Sequence, residues 1–237
     1  MEGFSYTNIF ETKGIEYLAI IAFFLLLIPF WILLNKQAKI TKQLQKMLGI
    51  LSAGNLKIPQ GLFFSKNHTW AHMERSGAAT VGLDDLLVHI TGSVTFNQLK
   101  TPGEKIHKGD LLTEINQNGK LLKIFSPISG KILKTNPDLE KNPELLSQDP
   151  CDKGWIYKIK PSNWIEETHS CYLAEEATNW SKKELDRFKD FMAESVNKYS
   201  SAPSMTVLQD GGELRDHVLA ELPEEIWKDF QTEFLNP

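Results

Sequence analysis

At 237 residues, 41% hydrophobic and 24% charged, the chain can bury one ordinary core and carry appendages beside it. Its net charge of -4 gives no reason to expect nucleic acid as a partner. Two cysteines, Cys151 and Cys171, lack metal-ligand spacing and read as free buried thiols, and no metal ligand set is read elsewhere.

Tyr17 to Leu34 runs eighteen residues without a charge. A helix of that length, at about 1.5 Å per residue, nearly spans a bilayer core of about 30 Å. Pro29 is tolerable within it. A cleaved signal peptide is the rival, but Glu2, Glu11 and Glu16 precede the run in place of a basic cluster, and no small-residue cleavage site follows. Lys36, Lys39, Lys42 and Lys46 come next, with no acid between Glu16 and Glu74. The positive-inside rule therefore predicts a single-pass protein of the cytoplasmic membrane, N-terminus outside and soluble domain in the cytoplasm. Ile40, Leu44, Met47, Leu48 and Leu51 extend a helical spacing past the span, with the lysines on another face near anionic headgroups.

Ser52-Ala53-Gly54-Asn55 breaks that pattern, and short β-rich runs separated by turns follow to Lys160. Ala79-Thr80-Val81-Gly82 reads as a strand end, Asp84 to His89 as a short helix with Asp84 at its start, and Val94 to Leu99 as a half-buried strand. Thr101-Pro102-Gly103 and His107-Lys108-Gly109-Asp110 are turns. Asn118-Gly119 is a strong signal for a two-residue type I′ hairpin, since both positions need positive φ. It sets Gln117 opposite Lys120, Ile115 opposite Leu122, Thr113 opposite Ile124, Glu114 opposite Lys123 and Leu112 opposite Phe125. Lys120 then stands at the first position of the return strand, with its ammonium expected to be exposed.

Ser181-Lys182-Lys183-Glu184 is a capping-box pattern opening a helix whose face carries Leu185, Phe188, Met192, Val196 and Tyr199. A helix is also expected over Glu213 to Leu222, and an acidic one from Pro223 bearing Ile226, Trp227, Phe230 and Phe234. That stripe must pack back on the domain or dock another protein. His68 and His107 have no nucleophile or carboxylate constellation beside them and are assigned surface or turn roles.

Ile58-Pro59-Gln60-Gly61-Leu62, Lys66-Asn67-His68-Thr69-Trp70, Gly103-Glu104-Lys105-Ile106, Ser126-Pro127-Ile128-Ser129-Gly130 and Gly154-Trp155-Ile156-Tyr157 occur in order. With the intervening runs they resemble the H protein of the glycine cleavage system, within the lipoyl/biotinyl carrier superfamily. The resemblance implies a mainly β fold with flanking helices, a flattened β-barrel of lipoyl type (a barrel-sandwich hybrid). To this the chain adds one N-terminal transmembrane helix and C-terminal helices. The resemblance also implies a lysine at the hairpin tip, amide-linked to lipoate, that carries an aminomethyl group between enzymes. A gapless alignment puts Gly119 at that position and Asn116 where the family has an acid, while Thr69 replaces another acid near the entry.

These readings divide the chain into an extracytoplasmic N-terminus (1–16), a transmembrane helix (17–34), a basic juxtamembrane helix and linker (35–57), and an H-like lipoyl-type domain (58–163). A helical part (164–200) and a linker with an acidic amphipathic tail (201–237) complete it. Two functions stay open. One is a membrane-tethered, non-catalytic H-like adaptor with no cofactor, docking unidentified protein partners on its domain or tail and making no use of nucleic acid. The other is a lipoyl carrier modified on Lys120, with Gln117, Asn118 and Gly119 completing the tip.

Overall fold

The computed structural model describes residues 16–32, 50–199, 208–209 and 213–235. The chain divides into two compact units, Met1–Leu48 and Gly49–Pro237.

In the first unit, residues 16–32 form one helix, α1, with every residue exposed. Seventeen residues at about 1.5 Å each reach about 25 Å, short of a hydrocarbon core of about 30 Å. Among the described residues no helix is long and apolar enough to cross a membrane. Leu33 and Leu34, which complete the expected span, lie outside the described residues, as does the expected juxtamembrane helix up to Gly49.

The second unit is mainly β with helices. Its strands begin with β1 (Ile50–Leu51), β2 (Phe63–Phe64), β3 (Thr69–Met73) and β4 (Ala79–Leu83), followed by helix α2 (Asp85–Thr91). Next come β5 (Thr95–Asn97), β6 (Lys105–Ile106), β7 (Leu111–Gln117), β8 (Lys120–Phe125) and β9 (Gly130–Thr135). Helices α3 (Pro137–Lys141) and α4 (Leu145–Gln148) precede β10 (Tyr157–Pro161), and α5 (Trp164–Thr168) and α6 (Ala174–Tyr199) follow it. The C-terminal segment holds β11 (Leu208–Gln209), β12 (Glu213–Arg215), a 3-10 turn (Val218–Glu221), α7 (Glu224–Asp229) and a π-turn (Phe230–Leu235).

Among the described residues, three antiparallel sheets have the orders β2-β3-β4-β10-β9-β6, β5-β7-β8 and β1-β12-β11. Period-two alternation builds the core. On β8, Leu122 and Ile124 are buried between the exposed Leu121 and Lys123, and they meet Val81, Leu83, Ile115, Ile132 and Ile159 in one cluster. Helix α2 starts where Asp84 accepts the Leu87 N–H at 2.8 Å, so the expected start at Asp84 holds.

Three expectations fail for long-range reasons. Helix α6 begins at Ala174, seven residues before Ser181, so the capping-box residues lie in its interior. The added turns bring Ala177 and Trp180 into a second cluster with Leu62, Phe64 and Trp70, and that burial outweighs the local stop-start signal. The segment expected as a helix from Glu213 pairs as strand β12 with β1, Leu51 facing Leu214, before turning at Val218. Ile50 and Leu51, expected to end the juxtamembrane helix, are the strand that receives it.

The tail's apolar stripe packs inward. Ile226, Trp227, Phe230 and Phe234 are each at most 1% exposed. Phe230 and Phe234 stack at 4.8 Å and meet Phe188 of α6 edge-on at 5.7 and 5.5 Å. Such aromatic contacts add to the burial itself.

Candidate functional site: a hairpin whose return strand meets the C-terminal segment

Asn118 (φ 51°) and Gly119 (φ 89°) form the turn between β7 and β8 with positive φ at both positions. Asn116 Oδ1 accepts the Gly119 N–H at 3.0 Å and closes the turn from the strand side. Gln117 pairs with Lys120, Ile115 with Leu122, Glu114 with Lys123 and Thr113 with Ile124, as expected. Phe125, however, faces Leu111 rather than Leu112. A bulge between Leu111 and Thr113 turns two successive side chains, Leu112 and Thr113, inward, and the Thr113 hydroxyl donates to Asn97 O at 2.7 Å.

The tip itself is bare. A Cβ on Gly119 would meet nothing within 4 Å.

Lys120 has a different environment from the exposed one expected of it. Its Nζ donates to Ala220 O and Leu222 O, both at 2.8 Å, and lies 5.2 Å above the Trp227 ring. The last carbonyls of a short 3-10 turn lack partners within it, and a cation beside them satisfies both hydrogen bonding and the turn's dipole. Burial lowers the Lys120 pKa below the ordinary lysine value. Trp227 is fixed in turn by its indole N–H, which donates to Leu219 O at 2.7 Å.

The outer edge of β8 is covered by the same segment. Gln231 accepts the Lys123 N–H at 2.6 Å and donates back to Lys123 O at 3.4 Å, as a neighbouring strand would. On the other strand, Gln117 donates to Thr91 O at the end of α2.

Two histidines, one buried and one half-buried, knit these parts together. His68 keeps the turn role, at φ 55° with its N–H donating to Ser65 O at 3.2 Å, but its side chain is 0% exposed, which corrects the surface role. Its Nδ1–H donates to Asp84 Oδ2 at 2.7 Å, while Nε2 lies 3.5 Å from Glu184 Oε2, a charge contact rather than a hydrogen bond. Its ring lies between Trp180 and Phe234, each 5.3 Å away. Burial alone would lower its pKa, but the charge and hydrogen bond of Asp84, helped by Glu184, raise it to about 9. Arg187 completes the group, bonded to Glu184 at 2.5 Å and 3.9 Å above the Phe234 ring. His89 on α2 sits between Asp216, at 2.8 Å, and Asp85, at 3.3 Å. Burial again opposes the charge, and the two carboxylates raise its pKa to about 9. His107 keeps its turn role, its backbone N–H donating to Asp110 at 2.7 Å. Cys151 and Cys171 are free and half-buried, and burial raises both thiol pKa values.

The chain matches the model of the Glycine cleavage H-protein family over residues 62–184. It is 35% identical over 126 residues to the "Probable glycine cleavage system H protein" of Thermococcus gammatolerans, covering 53% of this chain and 93% of that one. The chain belongs to the glycine cleavage H-protein family. A second relative, the "Glycine cleavage system H protein" of Bacteroides fragilis, is 32% identical over 108 residues, covering 46% of this chain and 85% of that one. A crystal structure of the Mycobacterium marinum H protein aligns with a TM-score of 0.41 at 25% identity, covering 44% of this chain and 87% of the other.

The family match encloses the whole hairpin and stops at residue 184. The segment that engages Lys120, residues 213–235, lies outside it. Sequence reasoning located the hairpin and its register but missed the closure. Its only local sign was the apolar stripe of Ile226, Trp227, Phe230 and Phe234, which does not say where it packs. It also missed the Asp84–His68–Glu184 group, whose members stand 16 residues apart and then 100 residues further on, with no spacing signal.

Proposed function

We propose that this chain is a membrane-tethered H-like protein that carries no lipoyl group and serves as a non-catalytic adaptor or structural subunit of a membrane-associated complex. One observation carries the reading: the Lys120 amine, the nearest amine to the tip, is occupied by Ala220 O and Leu222 O at 2.8 Å each and lies over the Trp227 ring. Acylation needs that amine free to attack. Burial lowers its pKa, but both carbonyls must release the amine before it can attack. The aligned position, Gly119, has no side chain to modify.

The tether is supported by the uncharged run Tyr17–Leu34 and the four lysines after it, which point to a cytoplasmic domain on the inner membrane. Partners dock on the outward face of the H-like domain, because the tail's apolar stripe is spent on its own core.

Family membership favours a second reading, a lipoyl carrier modified on Lys120. It requires residues 213–235 to leave the hairpin.

The test is the intact mass of the full chain from its own cells grown with lipoate, beside Lys120→Arg, and its distribution after membranes are washed with carbonate and pelleted. An unmodified mass in the membrane pellet supports the adaptor. A lipoyl increment lost in Lys120→Arg establishes the carrier, and recovery in the soluble fraction removes the tether.

A further inference from the structure

Away from the hairpin tip, three potential metal ligands converge. His89, Asp216 and His217 each present one ligand atom, and these atoms lie within 4.8 Å of one another. Asp216 Oδ1 is 2.8 Å from His89 Nδ1 and 3.7 Å from His217 Nε2. Tetrahedral zinc with bonds of about 2.0–2.1 Å places its ligand atoms about 3.3 Å apart, so the two distances bracket that edge, each within about half an ångström of it. We propose that His89 Nδ1, Asp216 Oδ1 and His217 Nε2 bind a zinc ion that pins the C-terminal segment to helix α2, with water as the fourth ligand.

The surroundings suit a metal-binding imidazole. His89 Nε2, the nitrogen not used for the metal, lies 3.3 Å from Asp85 Oδ2. Asp85 is 4% exposed and its Oδ2 is itself held by the Lys57 N–H at 2.7 Å. A carboxylate on the far nitrogen fixes the ring's orientation and raises its basicity, as in the outer shell of zinc sites. Binding replaces the His89–Asp216 hydrogen bond: the Nδ1 proton leaves to solvent and its lone pair goes to the ion.

The second imidazole is brought in by backbone. His217 stands at φ 60° and its N–H donates to His89 O at 2.7 Å. A Cβ on Gly92 would come within 3.1 Å of the His217 Cβ, so glycine at the end of α2 permits the approach. The side chains of His89 and Asp216 are 26% and 27% exposed and that of His217 is 52% exposed, leaving an open side for the ion and its water. Two imidazoles with one carboxylate suit zinc better than calcium or magnesium, which prefer oxygen.

The site bears on the hairpin. His217 is the residue before the Val218–Glu221 turn, and Lys120 binds Ala220 O and Leu222 O at that turn's other end. A metal at its start holds the cover in place over Lys120.

The full chain, chelator-treated and returned to zinc in detergent, is compared with His217→Ala and Asp216→Asn. Zinc per chain is measured by mass spectrometry of the metal, affinity by titration with a competing indicator, and Lys120 acetylation by a small reagent. One zinc per wild-type chain is expected, with affinity at least about tenfold weaker in each variant and slower Lys120 acetylation only when wild type holds zinc. Matching melting in chelator shows that His217→Ala is folded; if it is not, His217→Gln replaces it. Absence of zinc from wild type at micromolar concentrations, or equal affinity in the variants, overturns the proposal.

Discussion

The amine of Lys120 and the carbonyl of Leu222 meet at 2.8 Å across 102 residues of chain. The contact joins the return strand of a carrier-type hairpin to a segment outside the family match. The hairpin is therefore complete as a fold element while its amine is used as an internal strut.

Lys120→Met keeps the stem but removes the ammonium, leaving two half-buried carbonyls without a donor. A destabilisation of about 1–3 kcal/mol is expected, read as a lower urea midpoint with unchanged slope. Faster proteolysis after residue 200 should accompany it. A midpoint equal to wild type shows that the strut contributes nothing.

Trp227→Ala empties a site that is 1% exposed. The loss should be about 3–5 kcal/mol, and Lys120 should become reactive to acetylation well below the unfolding midpoint. Unchanged Lys120 reactivity in a folded variant would mean that the indole does not guard the amine.

His68 makes stability depend on alkali. Its folded pKa of about 9 lies above its ordinary value of 6.5, so protonation favours the folded state. That stabilisation is fully present below about pH 6.5 and is lost as pH rises through about 9. The melting temperature should fall between pH 7 and 10, and His68→Gln should flatten the fall while lowering stability at pH 7. An equally steep fall in the variant assigns the effect elsewhere.

Gly119→Lys restores an amine at the aligned position. A Cβ there meets nothing within 4 Å, and the cost is the strain of a non-glycine residue at φ 89°, about 1–3 kcal/mol. Co-expressed with a lipoate ligase, the variant should gain a lipoyl mass increment that wild type lacks. If both proteins remain unmodified, the hairpin has lost more than its lysine.

Local chemistry made much of the hairpin and of α2 legible. Asn118-Gly119 demands two positive φ values, and β8 alternates with period two, so four of the expected pairings appear in the sheet. Asp84 caps α2 through an atom three residues away. These signals lie within a few residues of the elements they specify, and no distant partner can easily override them.

The rest was decided by residues far apart. Leu121 and Lys120 are neighbours, yet one is exposed and the other is held by a segment 100 residues away. Ser181 reads as a helix start until Ala177 and Trp180 gain more by burying against Trp70. Glu213 to Arg215 reads as helix until β1 offers an edge to pair with. His68 reads as a surface turn residue until Asp84, Glu184 and two aromatic rings enclose its side chain. The sequence by itself determined the hairpin, the family and the amine's place on the strand, because turn chemistry and alternation are local. Only the tertiary structure decided that this amine is engaged by the C-terminal segment, because burial and hydrogen bonding depend on which distant surfaces meet.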